Sequence, residues 1–186
     1  MTAQASAPNP VPDPVVHATA DIELATRSGA RLSVRPATEA DEPLLEAFFD
    51  LVTAQDRRFR FLCAQTHVGH EMLEPMTHCD HFRSENMLAF SAYSGELVAT
   101  AMLACDNPLD TGEIAVSVRG DWRGQGVGWS MLDIISEEGR KRGLRRVISI
   151  ENRENRAAIA LERENGFIAR AIEGDPTLVL LEKVLR

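Results

Sequence analysis

Ile114-Ala115-Val116-Ser117-Val118, followed by Arg123-Gly124-Gln125-Gly126-Val127-Gly128 and a helix-patterned stretch to Arg142, is the passage that decides the fold. A strand that turns through glycines into a helix leaves several backbone N–H groups at the helix start without acceptors, all facing one spot. Phosphate oxygens can take the place of those acceptors. Glycine suits such a loop because it admits the close approach of a pyrophosphate and tolerates positive φ. No Lys-Ser/Thr follows the glycines as in a P-loop, and the spacing is not the GxGxxG of a dinucleotide fold. Two readings remain: a phosphate cradle of another kind, or an ordinary tight connection.

Outward from this passage the chain alternates between strand and helix patterns. Arg31 to Arg35 reads as a strand, and Pro36 with Thr38 starts a helix over about Glu39 to Thr53, with Leu44, Leu45, Phe48, Phe49 and Val52 on one face. Residues 54 to 83 are less regular and predict one or two helices. Met87 to Tyr93 and Leu97 to Ala104, joined by Ser94-Gly95-Glu96, predict a hairpin, and Glu113 to Val118 completes an antiparallel meander. Gly126 to Arg142 predicts a helix with Val127, Met131, Leu132 and Ile135 inward, stopped by Gly143. A strand over Arg145 to Ile150, a short helix over Asn155 to Asn165, and strands over Phe167 to Ala171 and Thr177 to Lys183 follow. The order implies an α/β fold, a mixed sheet covered by helices.

Composition narrows the function. The 186 residues suffice for one core, and a net charge of −8 offers no basic field for nucleic acid. It favours cationic partners such as amines or lysine-bearing surfaces. No apolar run approaches the roughly 20 residues of a membrane span, and the N-terminus lacks a secretory pattern, so the expected location is cytoplasmic. Cys63, Cys79 and Cys105 suit neither a disulfide scaffold nor a closed zinc site. His67, His70, His78 and His81 lie close in sequence, but a polar surface cluster explains them better than a metal site, and no metal is expected. Residues 1–29 divide off as a Pro-rich N-terminal arm, extended and flexible over Met1 to Pro14, where Pro8, Pro10, Pro12 and Pro14 block helix and ladder alike. Residues 30–186 form the domain.

Three signatures in order carry a resemblance: Leu32-Ser33-Val34-Arg35-Pro36-Ala37-Thr38-Glu39-Ala40-Asp41, then Arg123-x-x-Gly126-x-Gly128, then Asn155-x-x-Ala158-Ile159-x-Leu161 ending in Gly166-Phe167. Over residues 31 to 186 the chain resembles the GNAT superfamily of N-acetyltransferases. The resemblance implies a mixed, mostly antiparallel twisted sheet flanked by helices, with acetyl-CoA as cosubstrate. It implies that the strands around Val118 and Val147 splay and hold the pantetheine arm between them. Val116 and Val118 would meet that arm through their backbone, and the N–H groups of Gln125, Gly126, Val127 and Gly128, in the loop with Gly124, would hold the pyrophosphate. Arg123 would add charge-assisted bonds to a phosphate, and Asn155 would cap the last helix and reach the arm. Homodimers through sheet edges or C-terminal strands are common in the superfamily.

Pro43 to Phe49, Arg58-Phe59-Arg60-Phe61 and Gly112 to Trp122 resemble the acetyltransferase domain of bacterial protein-lysine acetyltransferases that silence acyl-CoA synthetases. In that branch the position of Glu113 holds the general base. Strand alternation sets a condition on this role, since Ile114, Val116 and Val118 share one face while Glu113, Ala115 and Ser117 share the other; the face of Glu113 must be the acceptor side. The tyrosine that many superfamily members use as general acid is replaced by Glu162, seven residues after Asn155, and Tyr93 is the only tyrosine. The implied function is direct acetyl transfer to a primary amine, a protein lysine such as one on an acyl-CoA synthetase. The alternatives are a small-molecule amine acceptor, or a noncatalytic acyl-CoA-binding regulator.

Overall fold

Strand burial lays the chain into one sheet with both faces covered. The computed structural model describes residues 21–64 and 66–186. Within them the strands are β1 (Ile22–Ala25), β2 (Arg31–Pro36), β3 (Ser84–Ser91), β4 (Leu97–Cys105), β5 (Thr111–Val118), β6 (Arg146–Asn152), β7 (Ile168–Ala171) and β8 (Leu178–Val184). Their spatial order is β1-β2-β3-β4-β5-β6-β8-β7. Every neighbouring pair is antiparallel except β5 and β6, which run parallel. This is the mixed, mostly antiparallel twisted sheet expected from the sequence.

The helices are α1 (Glu42–Leu51), α2 (Ala54–Phe61), α3 (His70–Thr77), α4 (Val127–Lys141) and α5 (Arg156–Glu164). One core joins Val127, Met131, Leu132 and Ile135 of α4 to sheet residues that include Met87, Ala101, Ile114, Val147 and Leu181, with Ile159 and Leu161 of α5 packed against it. The other joins Leu45, Phe48 and Phe49 of α1 and Leu73 and Met76 of α3 to Leu88 and Leu97, with Phe61 of α2 and Met102 alongside. Met87 and Leu88, adjacent in β3, thus serve opposite cores. That two-sided burial is why β3 reads as a continuous apolar run rather than an alternating one.

Two local expectations change. The stretch assigned to an N-terminal arm through residue 29 already enters the sheet at Ile22, pairing Ile22 with Val34 and Leu24 with Leu32. Ile22 and Leu24 turn partly inward while Glu23 and Ala25 are exposed, a two-residue period that the composition of the whole segment conceals. The expectation for Met1 to Pro14 lies outside the described residues. The helix expected from Glu39 divides into a 3-10 turn over Glu39–Asp41 and then α1, because Pro43 lies in the first turn of α1, where its missing N–H costs nothing. Residues 54 to 83 hold two helices, α2 and α3, as the pattern allowed.

Candidate active site

The site begins where the parallel pair stops pairing. β5 and β6 are in register only over Thr111↔Arg146, Gly112↔Val147 and Glu113↔Ile148. Beyond Glu113, β5 stays on β4 through Val118↔Ala99, and β6 stays on β8 through Asn152↔Leu178. Held by their outer neighbours, the two strands diverge. The divergence opens a cavity of about 390 Å³, walled by Glu113 to Val118 on one limb and by Ile150 and Glu151 on the other. Ladder bonding is absent between the limbs, so β5 turns a polar backbone edge into the gap, at Val116 and Val118 among others. An extended ligand arm can pair with such an edge as a strand would.

The wide end of the gap meets the glycine loop, since Gly124, Gly126, Val127 and Gly128 also line the cavity. Gly126 is the N-cap of α4 at φ +74°, and no side chain caps the helix. Ser130 N–H donates to the Gly126 carbonyl. The donors at the open end are therefore Val127, Gly128 and Trp129, which moves the expected set toward Trp129, with Gln125 and Gly126 on the approach. Gly128 has a different reason to be glycine than anion access: a Cβ there would stand 2.9 Å from Leu161 Cδ2 and 3.5 Å from Val118 Cγ2. Its bareness brings α4, α5 and β5 together. The turn after β1 packs against the loop as well, with Thr26 Cβ 3.2 Å from where a Gly126 Cβ would lie and the Arg27 guanidinium 3.5 Å from the centre of the Trp129 ring.

Arg123 reaches Asp56 of α2 in an ion pair, on a half-exposed side chain. Arg58 of α2 pairs with Glu154 beyond β6. These two contacts, each with a half-exposed arginine, hold α2 across the mouth of the gap from both sides. Gln125 Nε2 donates to the Asp121 carbonyl at 3.0 Å. Asn155 does two things at once: its side chain accepts from Ala158 N–H at the start of α5, and its Nδ2 donates to Glu151 Oε2 at 2.7 Å.

Glu113 stands at the apex of the fork, exposed and lining the cavity. Gly112 before it carries no side chain because Leu103 and Leu144 would lie 2.5 and 2.7 Å from its Cβ. Ile114, Val116 and Val118 pack on the α4 core, so Glu113, Ala115 and Ser117 face the α1–α3 side. Arg60 of α2 lies on that side, its Nη2 3.9 Å from Met102 Sδ and its buried Nε without a hydrogen-bond partner. Burial pulls the Arg60 pKa down while Glu113 and Glu151 pull it up, so the two carboxylates are within its electrostatic reach.

Residues 46–167 match the model of the Acetyltransferase (GNAT) family. The chain belongs to that family. It is 25% identical over 154 residues to "Acetyltransferase PA5475" of Pseudomonas aeruginosa, covering 82% of this chain and 83% of the relative. Its fold superposes on the GNAT domain of S. lividans PAT with a TM-score of 0.82 at 24% identity, covering 88% and 96% of the two chains. On a spermidine N-acetyltransferase from Vibrio cholerae, solved with CoA and spermine, the TM-score is 0.67 at 14% identity, covering 83% and 95%.

Within this GNAT fold, Glu113, Val116, Val118, Arg123, Gly124, Gly126, Val127, Gly128 and Asn155, singled out in the sequence, line one gap, whereas Gln125 is not on its lining and turns its side chain to the Asp121 carbonyl. The histidines disperse instead, His67 to Glu46 and Asp50, His70 to Glu42, and His81 to Glu85. Sequence reasoning missed Arg27, Arg60 and Glu151. Arg27 was hidden in the supposed arm, and Arg60 and Glu151 meet the gap only through the crossing of α2 and β6. Glu162 stood out by its spacing from Asn155, but its buried contact with Glu151 has no signal in the sequence. Among the described residues no helix is long and apolar enough to cross a membrane.

Proposed function

We propose that this GNAT protein moves an acetyl group from acetyl-CoA directly onto a primary amine, the side-chain amine of a protein lysine. The observation that carries the reading is the unladdered fork between β5 and β6, with a carboxylate at its apex and the uncapped start of α4 at its mouth. Acetyl-CoA supplies the activated thioester. In this reading the N–H groups of Val127, Gly128 and Trp129 hold its pyrophosphate, with Arg123 exchanging Asp56 for a phosphate. The edge of β5 at Val116 and Val118 aligns the arm, and Asn155 closes the opposite side.

Glu113 faces away from the α4 side that receives the cofactor, so the amine approaches from the side of α2. A lysine amine with a pKa near 10.4 is neutral in only about one molecule in a few thousand at pH 7. A carboxylate that accepts its proton, directly or through water, makes the nucleophile available where it is needed. Cys105 gives no support to a covalent relay, because burial pushes its thiol up to about 11 and keeps it protonated. Direct attack on the thioester follows. Glu113 offers the incoming ammonium a carboxylate, and half-exposed Leu62 on the lining offers an apolar contact for the methylenes of a lysine. An acyl-CoA synthetase is one lysine-bearing partner of this kind.

The test is labelling of a lysate of the source cells with acetyl-CoA carrying a labelled acetyl group, in the presence and absence of the protein. Label on protein lysines supports the proposal. Label confined to a small amine replaces the acceptor and keeps the transfer, and no enzyme-dependent label with retained CoA binding favours the noncatalytic regulator.

A further inference from the structure

Two carboxyl groups meet on the cofactor side of the fork. Glu151 lines the cavity near the end of β6, and Glu162, in the last turn of α5, is buried behind it. Ser149 Oγ donates to Glu162 Oε2 at 2.7 Å, and Asn155 Nδ2 donates to Glu151 Oε2 at 2.7 Å. Ser149 and Glu151 are two residues apart on one face of β6, so the two carboxyls lie beside each other. Burial and their mutual charge oppose ionisation of both, which leaves a proton on the pair. Across the ladder Ser149 pairs with Leu181 and Glu151 with Val179, both of which belong to the α4 core. The pair therefore lies on the face opposite Glu113.

We propose that the Glu151–Glu162 pair is the proton donor to the departing CoA sulfur, with Glu151 at the cleft wall delivering the proton and Glu162 and Ser149 holding it there. The proposal rests on the acetyl-transfer reading. A thioester lying through the fork has its amine side toward Glu113 and its sulfur side toward Glu151. The nitrogen lone pair forms the C–N bond, and collapse of the tetrahedral centre restores the C=O and breaks the C–S bond. The electron pair of that bond leaves with sulfur, which takes the proton from Glu151, while Glu113, having passed the first proton of the ammonium to solvent, takes the second proton lost by nitrogen. Return of a proton from Glu113 to the pair through solvent restores both sites, and the products are an amide and the CoA thiol.

The environment keeps the proton available. Burial raises both carboxyl pKa values, and for Glu162 the charge of Glu151 raises it further. Opposing this, Asn155 and Arg60 favour ionised Glu151, and Ser149 favours ionised Glu162. Glu113 reaches the pair through Arg60, which is coupled to both carboxylates of the gap. E151Q removes one of the two charges that raise the Arg60 pKa, E162Q leaves both in place, and Glu113 keeps its carboxylate in every variant.

The test uses E151Q, E162Q and the double variant, whose amides preserve size and hydrogen bonding but give up no proton. With the amine that the wild type acetylates, kcat of the double variant should fall about 10²-fold, the lower end of the usual range for general acid catalysis, with CoA affinity by calorimetry unchanged. The wild-type rate should decline toward alkaline pH as the pair loses its proton, and the double variant should lack that decline. Carboxyl-carbon NMR on glutamate-labelled wild type should show two groups titrating above the ordinary glutamate range and absent from the double variant. An active wild type whose double variant keeps both its kcat and its alkaline decline overturns the proposal, as does NMR showing both carboxyls ionised at pH 6. A wild type that releases no CoA thiol with any amine overturns the transfer reading first, and this one with it.

Discussion

Arg35 and Asp41 explain physically why the opening signature has its spacing. Nη1 and Nη2 of Arg35 donate to the two carboxylate oxygens of Asp41, each at 2.7 Å, and Thr38 N–H and Oγ donate to the same carboxylate at 2.8 and 2.9 Å. The fork joins β2 to the start of α1. The Arg35 hydrogen bond, with help from Thr38, holds the Asp41 carboxyl down at about 2 against the opposing effect of burial. A folded-state pKa below the unfolded value near 3.9 means stability that is present above about pH 4 and lost as pH falls toward 2. Asp41→Asn should therefore cost about 2 kcal/mol at neutral pH and flatten the pH dependence between 4 and 2, measured by urea unfolding across that range. Glu113→Gln acts on chemistry instead. It should leave folding and acetyl-CoA affinity intact and lower kcat/KM about 10²–10⁴-fold near neutral pH, read by thiol release; unchanged activity would move the proton to another acceptor.

At the level of elements, the loop and α4 combine two requirements that look alike in sequence. Gly126 must adopt φ +74° under the turn that follows β1, whereas Gly128 must be bare so that Leu161 of α5 can approach. Gly126→Asp should still fold, because Asp tolerates the left-handed region better than most residues and the Thr26 contact needs only a small adjustment. Its charge would oppose a pyrophosphate by about 4 kcal/mol per pair at 4 Å in an effective dielectric of 20, so acetyl-CoA affinity should fall by more than a hundredfold in a calorimetric titration. Gly128→Val should act differently, forcing α5 away from α4 and lowering the melting temperature together with affinity. α4, β5 and β8 were legible because their apolar periods match their burial, and β3 and β4 because their apolar runs are buried on both faces, whereas β7 is exposed along its length. β1 was not legible, since four residues of alternation vanish in a Pro-rich average, and the splay of β5 from β6 followed from family likeness alone, because a strand's sequence does not record where its neighbour departs.

At the scale of the whole molecule, the sheet separates two approaches to one gap. The start of α4, Asn155 and the Glu151–Glu162 pair occupy one side, and α2 with Arg60 and Glu113 occupies the other, so in the proposed reaction cofactor and acceptor approach from different sides. The negative charge of −8 suits a cationic acceptor, and Glu113 stands at the apex on the acceptor side. Motif order in the sequence was enough to gather that site, but the facing of its groups required the register of β4, β5, β6 and β8. The most direct test is release of CoA thiol from acetyl-CoA by the purified protein, with and without a lysine-containing peptide, alongside mass analysis of the peptide. The account predicts release that depends on the peptide, one acetyl group on the lysine side chain for each thiol formed, and loss of both in Glu113→Gln. Saturable acetyl-CoA binding with no thiol release across peptides, polyamines and amino sugars would contradict it.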